Sequence, residues 1–72
     1  MIHPKLTRKT LEGLLTVYSV KIKKTKSGFY IYPSGDYMSA SFFEDLLSIC
    51  DVFGFAFYVA NNADGTLYVD MF

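Results

Sequence analysis

The sequence predicts an α+β fold, a small domain in the order α-ββ-α-ββ: a short N-terminal helix, a β-hairpin, a long helix and a second β-hairpin. Three observations carry the prediction. A central stretch from Ser41 to Phe53 repeats its apolar residues at helical spacing. The segments on either side alternate apolar and polar residues with period two. Each alternating pair is divided by a turn-forming cluster that contains glycine.

The first element is a helix over residues 4–12, because Pro4 suits the first helical position and Gly13 suits the exit. Leu6, Thr10 and Leu11 are expected on its inner face, with a longer helix through Leu14, Leu15 and Tyr18 as the alternative. A strand follows from about Leu15 to Lys23, where Tyr18, Val20 and Ile22 alternate with Ser19, Lys21 and Lys23. Thr25-Lys26-Ser27-Gly28 reads as a turn, and Phe29 to Tyr32 as the second strand, closed by Pro33-Ser34-Gly35-Asp36. With Lys24 to Ser27 as the loop, Ile22 is expected opposite Phe29 and Val20 opposite Ile31, all on the inner face.

The long helix has two candidate caps. Ser41-Phe42-Phe43-Glu44 has capping-box spacing, and Ser39 competes with it. The helix is expected to reach Phe53 and stop at Gly54. Phe42, Leu46, Ile49 and Phe53 line one face, widened by Phe43, Leu47 and Cys50. The last hairpin joins Phe55–Ala60 to Thr66–Met71 through Asn61–Gly65, where Gly65 can adopt a positive φ. Pairing Ala60 with Thr66 sets Val59 against Leu67, Phe57 against Val69 and Phe55 against Met71, all toward the core. The natural packing is an antiparallel sheet with the long helix on one face.

Composition sets bounds on function. A chain of 72 residues is expected to form one domain, and one of this size buries only about 60% of its unfolded surface. Cys50 is the only cysteine and His3 the only histidine, which leaves neither an intrachain disulfide nor a cluster of soft metal ligands. An apolar core and self-association remain as sources of stability. Seven Phe and six Tyr are more rings than so small a core encloses, so some are expected at the surface. No apolar run has the length of a membrane span, and the N-terminus lacks a signal-peptide core, so a cytoplasmic protein without membrane contact is expected.

Net charge is zero, but its distribution is uneven. All seven basic residues lie between Lys5 and Lys26, and six of the seven acidic ones between Asp36 and Asp70. Such segregation can create a local positive potential that the net charge hides.

The face of the sheet away from the long helix is the candidate binding site. It is expected to carry Lys21, Lys23, Tyr30, Tyr32, Tyr58 and Tyr68, with Lys24 and Lys26 at the adjoining turn. Rings that stack on bases beside ammonium groups that track phosphate suit single-stranded nucleic acid. The same tyrosines suit the centre of a protein interface or a homodimer, or a floor for the N-terminal helix. Asp70, on the same face, would repel phosphate. The lysine run also has a purely protective reading, since lysines on an edge strand block sheet-to-sheet pairing. The acidic helix surface of Glu44, Asp45 and Asp51 is charge-complementary to the basic region of another copy.

Enzymatic chemistry lacks its parts. Cys50 falls on the apolar helix face, where a buried, unreactive thiol is expected. Glu44 and Asp45 are adjacent on a helix, a poor start for an acid/base pair. The Asn61–Gly65 loop fails the calcium-loop pattern, because Ala60 and Met71 occupy the positions where carboxylates belong. No phosphate-cradling glycine motif is present. The expectation is a non-enzymatic interaction module without cofactor or metal. It binds a protein partner or itself as a homo-oligomer, in the manner of small accessory or inhibitory proteins such as those of phages and mobile elements. Single-stranded nucleic acid is the alternative ligand.

Overall fold

The computed structural model describes residues 4–33 and 39–72. The element order is α1 (Arg8–Leu14), β1 (Val20–Lys24), β2 (Phe29–Pro33), α2 (Ala40–Phe53), β3 (Phe57–Asn61) and β4 (Leu67–Met71). This is the α-ββ-α-ββ arrangement that the patterning predicts. The strands form one antiparallel sheet in the order β1-β2-β4-β3. His3 and the Ser34–Asp36 part of the expected turn lie outside the described residues.

The first helix begins later than Pro4 implies. The Thr7 hydroxyl accepts the Thr10 amide at 3.2 Å, which makes Thr7 the N-cap. The helix also passes Gly13 and ends at Leu15, whose amide donates to the Leu11 carbonyl. Leu11 and Leu15 are one helical turn apart and both fully buried, and burying two leucines outweighs the roughly 1 kcal/mol cost of an exposed helical glycine. Leu6 is buried as expected, whereas Thr10 is exposed. β1 is correspondingly shorter than the expected Leu15–Lys23 strand, and Tyr18 precedes it in a turn closed by the Tyr18 amide on the Leu15 carbonyl.

Both hairpins are displaced in register from expectation. Ile22 pairs with Ile31, Lys24 with Phe29 and Val20 with Pro33, two residues away from the predicted register. The Thr25 amide donates to the Gly28 carbonyl, and the Gly28 amide to the Thr25 hydroxyl, so the loop moves by one residue to Thr25–Gly28 without changing length. In the second hairpin Val59 pairs with Val69 and Phe57 with Met71. Its loop is closed by the Asn62 amide on the Thr66 carbonyl, with Gly65 at φ 88°. A slip of two residues leaves every side chain on its predicted face, because the sheet period is two.

α2 starts at Ser39, whose hydroxyl accepts the Phe42 amide at 3.1 Å; the competing Ser41 lies inside the helix. It ends at Gly54 in the left-handed region at φ 77°. One core then unites the two helices with the inner sheet face. It holds Leu6, Leu11, Leu15, Phe42, Leu46, Ile49 and Cys50 together with Phe29 and Ile31 of β2 and Val69 and Met71 of β4. The two central strands supply the fully buried sheet residues. The predicted core is overstated at its margin: Phe53, Phe55 and Phe57 are half-buried, and Leu47, Val59 and Leu67 are exposed. Leu47 sits on the flank of the buried helix row, and Val59 and Leu67 lie toward the loop end of the β3–β4 hairpin.

A tyrosine face on the sheet

The alternation that buries Phe29, Ile31, Val69 and Met71 turns Tyr30, Tyr32, Tyr68 and Asp70 to the opposite side. β1 adds Lys21 and Lys23 at one margin, paired with Tyr32 and Tyr30. β3 adds Tyr58 and Ala60 at the other, paired with Asp70 and Tyr68. All six predicted site residues therefore share one face of the sheet. One row reads Lys23, Tyr30, Asp70, Tyr58 across the strands.

The rings form a connected layer. Tyr32 and Tyr68 stack with centroids 5.4 Å apart at 29°. Tyr30 meets both edge-on, at 6.2 Å from Tyr32 and 5.4 Å from Tyr68. Such pairs contribute roughly 0.5–1.5 kcal/mol beyond their area. Tyr58 stands apart from that trio and meets Phe72 edge-on at 5.7 Å. Phe72 is a member of this face that sequence reasoning missed. Its signal was the continuing alternation of Tyr68, Asp70 and Phe72.

Two lysines belong elsewhere. Lys24 has the core-side parity of β1, its amine donates to the Thr25 carbonyl, and it lies 5.2 Å from the centroid of the Phe29 ring. It caps the end of the core instead of extending the tyrosine face. Lys26 is exposed in the turn. The cationic part of the face is therefore Lys21 and Lys23, both on the edge strand.

Asp70 is the acidic centre of the face. Its carboxylate, on the residue paired with Tyr58, raises the Tyr58 pKa above its ordinary 10.0, first through hydrogen bonding with the hydroxyl and then through its negative charge. The N-terminal helix does not roof this layer, since Leu6, Leu11 and Leu15 join the core on the α2 side. An open depression of about 420 Å³ lies at the margin of the face, lined by Ser19, Val20, Lys21, Tyr32 and Pro33.

A second polar link joins the N-terminal segment to α2. The Tyr18 hydroxyl donates to the Asp45 carboxylate at 2.6 Å, and the Tyr18 ring meets Phe42 edge-on. Asp45 thus has a structural partner. Cys50 is buried, and burial pushes its thiol up to about 11, so it stays protonated and a poor nucleophile near neutrality. Among the described residues no three His, Cys, Asp or Glu side chains come together as a metal site. No described helix is long and apolar enough to cross a membrane. A scan against protein-family models matches no family, and searches of curated proteins and of solved structures return no match.

Proposed function

We propose that this chain is a small non-enzymatic interaction module that binds a protein partner through the tyrosine face of its sheet. The observation that carries the reading is the connected layer of Tyr30, Tyr32 and Tyr68 around the central Asp70. Tyrosine is enriched at the cores of protein interfaces because each ring offers large apolar area with a polar tip and few rotatable bonds. A carboxylate in the middle of the layer favours a partner that brings hydrogen-bond donors or a cation.

Single-stranded nucleic acid is the second reading, favoured by the pairing of Lys21 with Tyr32 and of Lys23 with Tyr30. It ranks lower for two reasons. Asp70 opposes phosphate at the centre of the face, and Lys24 is turned to the core side.

The test is affinity capture from nuclease-treated extract, comparing the native chain with Tyr32→Ala and Tyr68→Ala, and with Lys21→Ala/Lys23→Ala. A protein retained by the native chain and lost with either tyrosine variant is the expected result. Equal retention by all variants would refute the face as the binding site. Anisotropy of short oligonucleotides at low salt separates the second reading: single-strand binding whose salt slope flattens in the lysine variant would replace the protein reading.

A further inference from the structure

The two edges of the sheet differ in a way that identifies one of them as a contact surface. β1 is an edge of sequence Val-Lys-Ile-Lys-Lys, with α1 packed beside it. Charged side chains of this kind keep an edge from pairing with another strand. β3, the other edge, reads Phe-Tyr-Val-Ala-Asn and carries no charge and no proline. Among the described residues no helix lies against β3 as α1 lies against β1.

The hydrogen-bond phase of β3 follows from its neighbour. Ala56 and Phe72 exchange both backbone bonds, at 2.8 and 2.9 Å, and the Asn62 amide bonds the Thr66 carbonyl. Bonded pairs recur at every second residue of an antiparallel ladder. Tyr58 and Ala60 therefore bond toward β4, and Phe57, Val59 and Asn61 turn their N–H and C=O groups to the open edge.

We infer that β3 is a self-association edge, where two copies of the chain pair β3 with β3, antiparallel about a two-fold axis at Val59, into one continuous eight-stranded sheet. This register matches Phe57 with Asn61 of the second copy and Val59 with its own equivalent, so every outward backbone group in the strand meets a partner. It also matches side chains by size. Tyr58, 52% exposed, comes opposite Ala60 of the second copy on the tyrosine face, and Phe57 comes opposite Asn61 on the helix side. Val59, an exposed apolar residue, meets Val59. Identical strands can meet this way only where like charges do not, which excludes the lysine-bearing β1 edge and admits β3. An isologous contact of this kind closes at two copies. The surface is separate from the partner-binding reading, which rests on Tyr32 and Tyr68.

Sedimentation equilibrium combined with amide hydrogen exchange tests the inference. The native chain is expected at twice its 8.2 kDa mass, with the Phe57, Val59 and Asn61 amides protected alongside those of Tyr58 and Ala60. Val59→Lys is expected to give monomer, with Phe57 and Asn61 exchanging on the order of 100-fold faster while Tyr58 and Ala60 keep their protection. Asn61→Pro removes an outward N–H that no bond within the chain uses, and is expected to give monomer with the fold intact. A native chain that is monomeric with these amides unprotected would overturn the inference. So would a dimer that survives both variants and dissociates with Tyr68→Asp, which puts the contact on the tyrosine face. Edge protection that arises in a monomer only on adding cell extract would overturn the second copy in favour of a foreign strand.

Discussion

The inner and outer faces of β2 and β4 are made by neighbouring residues of the same strands, yet they differ in what holds them. On the inner face Phe29, Ile31, Val69 and Met71 are fully buried against both helices. On the outer face Tyr30, Tyr32 and Tyr68 touch chiefly one another and remain partly open to water. Stability is therefore concentrated on one side and recognition chemistry on the other. Substitutions one residue apart should separate the two.

The largest effect is expected at Ile31. Ile31→Ala leaves a cavity among fully buried neighbours and should cost about 3–4 kcal/mol. Tyr32→Ala, one residue on, should cost about 1–2 kcal/mol, since it removes one stacked and one edge-on ring pair and partly exposed area. Urea unfolding of the two variants checks the ratio. Equal losses would mean that the tyrosine layer is a second core and not a binding surface.

The next effect concerns the seam between the central strands. A Cβ added at Gly28 would collide with the backbone carbonyl of Met71. Gly28→Ala should cost about 2–3 kcal/mol, because backbone, unlike a flexible side chain, cannot give way cheaply. Gly13→Ala is the control: nothing lies within 4 Å of its added Cβ, and the change should stabilise α1 by up to about 1 kcal/mol. Thermal midpoints that move in opposite directions for the two variants would bear this out.

The two-sided design was legible in the sequence because it depends only on parity. Both hairpin registers differ from expectation by two residues, and no side chain changed face. What the pattern did not carry was set by single side chains acting locally. The Thr7 cap starts α1 later than Pro4 implies, Ser39 won the second cap over Ser41, and the Thr25 hydroxyl holds the displaced first turn. Propensity ranks these alternatives too closely to choose between them. The reach of the core was also hidden, since Val59 and Leu67 alternate in phase with buried residues and yet lie exposed. Of the site, the six face residues were legible, whereas the departure of Lys24 and the addition of Phe72 needed strand ends that patterning does not locate.

A smaller effect is expected in alkali. The hydrogen bond to Asp45, more than burial, raises the Tyr18 pKa above its ordinary 10.0. A phenol with a raised folded-state pKa contributes stability that is fully present below its unfolded value and is lost as pH rises through the folded value. Tyr18→Phe should therefore be less stable than the native chain at pH 7 to 9 and should converge with it at higher pH. Denaturation midpoints across that range check the sign; a constant difference at every pH would assign the effect to packing on Phe42 instead.

The smallest effect is expected at the far hairpin, and in acid. The Asp64 carboxylate accepts the Thr66 amide at 3.0 Å and the Thr66 hydroxyl at 2.7 Å. These bonds, the hydroxyl's first, hold its pKa below the ordinary 3.8. Here the linkage has the opposite sign to Tyr18: the contribution is present above the unfolded value and is lost as pH falls through the lower folded value. Asp64→Asn keeps an acceptor oxygen but loses the charge that strengthens both bonds. The variant should fall slightly below the native chain at pH 6 and meet it near pH 2. Because Asp64 is exposed, the difference should appear first as faster amide exchange at Thr66, with little change in global stability. If Thr66 exchange is the same in both proteins at pH 6, Gly65 and the Asn62–Thr66 bonds hold this turn without the carboxylate.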